Sequence, residues 1–76
     1  MNNVELEKIM KCMSIPESYA HTLSQLYVII EEEYEVINSL RESQDLNSLF
    51  VFIKNEYETK YGEEFKLPKS YLGKIL

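Results

Sequence analysis

The sequence predicts an all-α protein: a small helical bundle built on a long antiparallel helical hairpin, with short N- and C-terminal helices. Three observations carry that expectation. Apolar residues recur in steps of three and four along most of the 76 residues, and nowhere does the chain alternate as a strand would. The two prolines and two glycines fall mostly at the ends of those periodic runs. The composition, 45% hydrophobic and 28% charged without a low-complexity run, is that of a folded chain. A chain this short forms one domain, residues 1–76, and buries only about 60% of the surface that its unfolded form exposes. That leaves no room for a deep cleft between domains.

Helix 1 is expected over about 3–13. Asn2 and Glu5 have the spacing of a capping box, Leu6, Ile9, Met10 and Met13 repeat at helical intervals, and Ser14-Ile15-Pro16 stops the run. Helix 2 is expected over about 16–42, opened by Pro16 with Glu17 near its positive end. Tyr19, Leu23, Leu26, Tyr27, Ile30, Tyr34, Ile37 and Leu40 keep the helical step without an intervening glycine or proline. Such a helix would be about 40 Å long, and a bend is expected near Asn38-Ser39.

The polar run Glu42-Ser43-Gln44-Asp45 reads as a turn with Ser43 or Asp45 as the next N-cap. Helix 3, about 45–61, then aligns Leu46, Leu49, Phe50, Ile53, Tyr57 and Tyr61 and ends at Gly62, a residue suited to a left-handed C-cap. Pro68 can open helix 4 over about 68–75. Leu67, Tyr71, Leu72, Ile75 and Leu76 make this tail apolar, and Gly73 weakens it, so it must dock on the hairpin or on another chain.

The net charge of −5 is unevenly spread. Glu17, Glu31, Glu32, Glu33, Glu35, Glu42 and Asp45 face a single base, Arg41, between positions 16 and 45, whereas Lys66, Lys69 and Lys74 make the tail basic. Direct binding to nucleic acid or an anionic membrane is therefore disfavoured. On a helical wheel centred on Ile30, Glu17, Glu31, Glu35 and Glu42 form a line at about 100–140°, with Glu33 at about 300° beside Ile29, Val36 and Leu40.

Two meanings of that line stand open. It is the solvated face of an amphipathic helix, or it imitates nucleic acid, since carboxylates one turn apart lie about 6 Å from each other, near the spacing of successive phosphates. Under the second, the partner-binding residues are Glu31, Glu32, Glu35 and Glu42, with Val28 as an apolar anchor. Leu67, Tyr71, Leu72 and Ile75 form the candidate docking or oligomer tail.

Catalytic, metal and cofactor chemistry find little support. Cys12 is the only cysteine and His21 the only histidine, so no zinc-like set exists and no intramolecular disulfide can form. Cys12 is expected to face the core beside two methionines, and His21 the solvent without an oriented third group. No phosphate-binding glycine loop, nucleophile elbow or calcium loop occurs. The six tyrosines read as half-buried packing residues. Neither a bilayer-spanning run of about 20 apolar residues nor a secretory signal layout occurs, so the expected location is cytoplasmic.

The segments VIIEEEYEV (28–36) and DLNSLFVFI (45–53) resemble the second and last helices of acyl carrier proteins, where an acidic helix recognises partner enzymes. The Asp-Ser-Leu that bears phosphopantetheine in that family would fall at about Tyr19-Ala20-His21, and the serine is missing. Ser43-Gln44-Asp45-Leu46-Asn47 resembles the Ser-Gln-x-Leu-Asp motif of small helical aspartyl-phosphate phosphatases, but Asn47 stands in place of its aspartate.

The expected function is non-enzymatic binding of a protein partner: a regulator or inhibitor, of phage or mobile-element type, that covers a basic nucleic-acid-binding surface with an acidic helix. Helix-mediated homo-oligomerisation through exposed Val28, Ile29 and Val36 is the alternative, and a helical DNA-binding regulator the second. No cofactor is expected.

Overall fold

The computed structural model describes residues 3–76. The proposed Asn2–Glu5 capping box, and the side chains of Leu6 and Ile9, lie outside the described residues. The elements are α1 (Asn3–Met13), one 3-10 turn (Glu17–Tyr19), α2 (Ala20–Glu32), α3 (Tyr34–Glu42), α4 (Leu46–Tyr61) and α5 (Lys69–Ile75), with no strand among the described residues. The all-α helical bundle is as the apolar periodicity predicts.

The helix ends follow local chemistry. After α1, Ser14 takes the left-handed conformation (φ 56°). The Ile15 N–H then reaches the Met10 carbonyl at 2.9 Å and the Ser14 N–H the Lys11 carbonyl at 3.4 Å. This is a Schellman ending, completed by the burial of both Met10 and Ile15. Asp45 caps α4 by accepting from the Ser48 N–H at 3.0 Å, while the Ser48 hydroxyl donates back to its carboxylate at 2.6 Å. Gly62 closes α4 at φ 66°. Pro68 precedes α5 in extended conformation.

The single long helix 2 is corrected in two places. The stretch 17–19 is a 3-10 turn, and the helix is interrupted at Glu33 (φ −113°, ψ 32°), not near Asn38-Ser39. A straight helix over 20–42 would run about 35 Å, more than the longest dimension of the molecule, 29 Å. The buried positions of α2 are Leu23, Leu26 and Ile29. Centred on Leu26, a continuous helix would hold Glu33 about 20° from the middle of the buried stripe, alongside Ile37. An unpaired carboxylate there would lose its hydration; the break releases it to a half-exposed position.

The recentred stripe and the break correct one side chain each. Ile29, expected on an exposed margin, is 1% exposed, and Tyr34, expected in the core stripe, is 59% exposed. A third correction is Cys12, which is exposed and not core-facing.

The core is Met10, Ile15, Leu23, Leu26, Ile29, Ile37, Leu49, Ile53, Tyr57, Phe65, Leu67 and Leu72, drawn from every α-helix and from the connectors 14–16 and 62–68. Tyr57 is its largest fully buried member and packs with Tyr61 and Phe65, each with ring centroids 5.1 Å away. Leu67 and Leu72 of the candidate tail are buried in this same chain, and Tyr71 meets Tyr19 edge-on at 5.7 Å. The tail thus docks on its own bundle, which removes Leu67 and Leu72 from any surface offered to another chain.

Candidate functional site

The break at Glu33 shapes the acidic segment. Glu31 and Glu32 end α2, Glu35 lies in the first turn of α3, and Glu33 lies between the two helices. The straight ladder of carboxylates expected from Glu31 to Glu35 is therefore replaced by a knuckle. Its surface is a shallow concavity lined by Glu31, Glu32, Glu33, Tyr34, Glu35 and Val36.

Within it the glutamates are not equivalent. Lys60 Nζ on α4 lies 2.7 Å from both oxygens of Glu32, so one predicted groove contact is already paired inside the chain. That pairing raises the Lys60 ammonium above its ordinary value, the hydrogen bond to Glu32 being the main cause. Among the described residues, Glu31 and Glu35 have no cationic partner and both are exposed. Glu42 is also exposed but sits at the far end of α3, where Asn38 Nδ2 donates to it at 3.4 Å. The one arginine, Arg41, is turned toward Asn38 Oδ1 (2.6 Å) and the Leu76 carbonyl (3.4 Å).

Apolar anchors flank the acids. Val28 is 40% exposed one turn before the knuckle, and Val36 is 43% exposed just after it. Tyr34, which the wheel had assigned to the core, projects between Glu33 and Glu35. Its exposure was hidden in the sequence because tyrosine fits a core stripe as readily as a surface.

A second polar cluster was missed altogether. His21 is exposed, as expected, but it has a partner: its Nε2 lies 3.3 Å from Glu63 Oε2. The Tyr57 hydroxyl donates to Gln25 Oε1 at 2.5 Å and lies 3.5 Å from the same Glu63 oxygen. Burial pushes the Tyr57 phenol above its ordinary value, opposed by a hydrogen bond with Thr22 and helped by the neighbouring Glu63 carboxylate. Phe65 N–H donates to Glu58 at 3.1 Å, so the whole 62–65 connector is tied to the end of α4. These contacts tie α2, through His21 and Gln25, to Tyr57 of α4 and to Glu63 just after it, as a clasp would.

Among the described residues no group of three or more His, Cys, Asp or Glu side chains converges as metal ligands would. No described helix is long and apolar enough to cross a membrane. Compared with known protein families, with curated proteins and with solved structures, this chain matches none of them.

Proposed function

We propose that this protein is a non-enzymatic regulator that binds a larger protein by seating its α2–α3 knuckle on a basic, nucleic-acid-binding surface, which it then blocks. One observation carries the reading: Tyr34 stands 59% exposed between acidic neighbours at the point where the long helix breaks. An exposed tyrosine flanked by unpaired carboxylates combines an apolar body for affinity with charge for steering. Glu31 and Glu35 supply the charge, Val28 and Val36 widen the apolar contact, and Glu32 braces the knuckle from within. An inhibitor of phage or mobile-element type, directed at a nucleic-acid enzyme, is the concrete form.

The test is capture of basic nucleic-acid-binding enzymes from a bacterial lysate by the tagged protein. The wild type is expected to retain one such enzyme and release it at high salt. Glu31→Lys/Glu35→Lys and, separately, Tyr34→Ala are expected to lose it, with their helical circular dichroism unchanged. Retention by both variants would sink the proposal.

A further inference from the structure

We infer that the surface blocked by the knuckle is a basic groove for single-stranded nucleic acid, one that stacks bases on aromatic side chains and tolerates any sequence. The inference rests on the regulator reading above and names the class of its partner. A duplex offers two long, regular rows of phosphates with its bases stacked inside. The knuckle does not reproduce such a row, because the break at Glu33 (φ −113°, ψ 32°) takes Glu35 off the line of α2 and Lys60 occupies Glu32 at 2.7 Å. Among the described residues, the segment's carboxylates without a cation are then Glu31 and Glu35, both exposed, and half-exposed Glu33 between them.

What the knuckle adds to this short run of charge is a ring. Of the six tyrosines only Tyr34 is exposed, at 59%, and it lines the same shallow concavity as Glu31, Glu33 and Glu35. The aromatic pairs and the lysine–ring contacts of the described residues all lie elsewhere, so the Tyr34 ring is left to a partner. Proteins that hold single strands without reading sequence combine a basic groove that tracks the backbone with aromatic side chains on which bases stack. A phenol has a π-face as every base does, and carboxylates on either side of it take the places of phosphates. Tyr34 has no counterpart of a base's hydrogen-bonding edge, so a groove that reads that edge gains nothing from it. Three carboxylates and one ring correspond to a few nucleotides, the scale of the roughly 4–16 nucleotides that one single-strand-binding fold covers. The Lys60–Glu32 pair fixes the end of α2 against α4, which leaves less of the knuckle to be ordered on binding.

Competitive release from two resins tests it. A bacterial lysate is loaded at low salt on single-stranded oligo(dT) and on a mixed-sequence duplex, and each resin is eluted with this protein. The wild type is expected to release a protein from oligo(dT) and none from the duplex, and to displace a fluorescent oligo(dT) from that protein once purified. Tyr34→Phe keeps the ring and is expected to compete as the wild type does. Tyr34→Leu keeps an apolar side chain without a π-face and is expected to compete roughly 5- to 150-fold less well, with the helical circular dichroism of both variants unchanged. Equal competition by the two variants overturns the inference. Release confined to the duplex resin overturns it and leaves the regulator standing. Release from neither resin overturns it as well, and capture by the tagged protein then decides whether the regulator falls with it.

Discussion

Lys60 on α4 holds both carboxylate oxygens of Glu32, at 2.7 Å each, one residue before the helix break. The contact joins α2 to α4 beside the knuckle and separates a structural glutamate from its free neighbours. Glu32→Gln is therefore expected to lower the thermal midpoint slightly, and Glu31→Gln to leave it unchanged. In partner binding the order reverses, with Glu31 the more sensitive position. Melting curves and binding isotherms of the two single variants check both halves.

Tyr57 is 1% exposed, and its hydroxyl donates to Gln25 at 2.5 Å. Tyr57→Phe keeps the ring and leaves the Gln25 oxygen without that donor, which is expected to cost about 0.5–1.5 kcal/mol. Tyr57→Ala also opens a cavity and is expected to cost roughly 3–5 kcal/mol, a large part of the stability of so small a domain. Urea unfolding of the two variants separates the contributions of ring and hydroxyl.

Among the described residues, three turns use the left-handed conformation, at Ser14, Gln44 and Gly62. A Cβ on Gly62 would meet nothing within 4 Å, so Gly62→Ala tests backbone strain alone and is expected to destabilise by about 1–2 kcal/mol. Gln44→Gly removes the corresponding strain and is expected to stabilise by roughly 0.5–1 kcal/mol after the added unfolded-state freedom is counted. The opposite signs of these two substitutions, measured by chemical denaturation, are the check.

The pH dependence has two limbs. Burial holds Tyr57 and Tyr27 above their ordinary 10.0, and Glu32 holds Lys60 above 10.5. All three therefore favour folding in their protonated form. Their contribution is complete below the unfolded values and disappears as pH rises through the higher folded ones. Asp45 behaves in reverse: hydrogen bonds from Ser48 lower it from 3.8, so its contribution is present above that value and is lost as pH falls through the folded one. Melting midpoints are expected to fall above about pH 10 and again below about pH 4. Asp45→Asn should shrink the acid limb and Lys60→Met the alkaline one.

Most of the bundle was legible because helix ends are written in single residues. Asp45, Gly62 and Pro68 stand at or beside the boundaries they announced, whereas Pro16 opens a 3-10 turn and α2 starts only at Ala20. The interruption at Glu33 was not, because nothing there is a helix breaker in its own right; only the position of the buried stripe makes a glutamate at that point untenable. Centring the stripe on Ile30 instead of Leu26 hid the conflict and misplaced Ile29, and a wheel carried across the break misplaced Tyr34. Among the candidate site residues, exposure of Glu31, Glu35 and Val28 could be read from the wheel. Pairings between elements distant in sequence, such as Glu32 with Lys60 and His21 with Glu63, could not, since local periodicity carries no information about them.

The one-residue interruption at Glu33 also sets how far α4 has to reach. Straightened, α2 and α3 would become a rod of about 35 Å, whereas the 16 residues of α4 span only about 24 Å. The far end of the buried stripe, at Leu23, would then lie beyond α4. A glutamate in the buried stripe thus trims the stripe to its cover: the carboxylate that forbids a straight helix keeps the apolar face no longer than the helix packed on it.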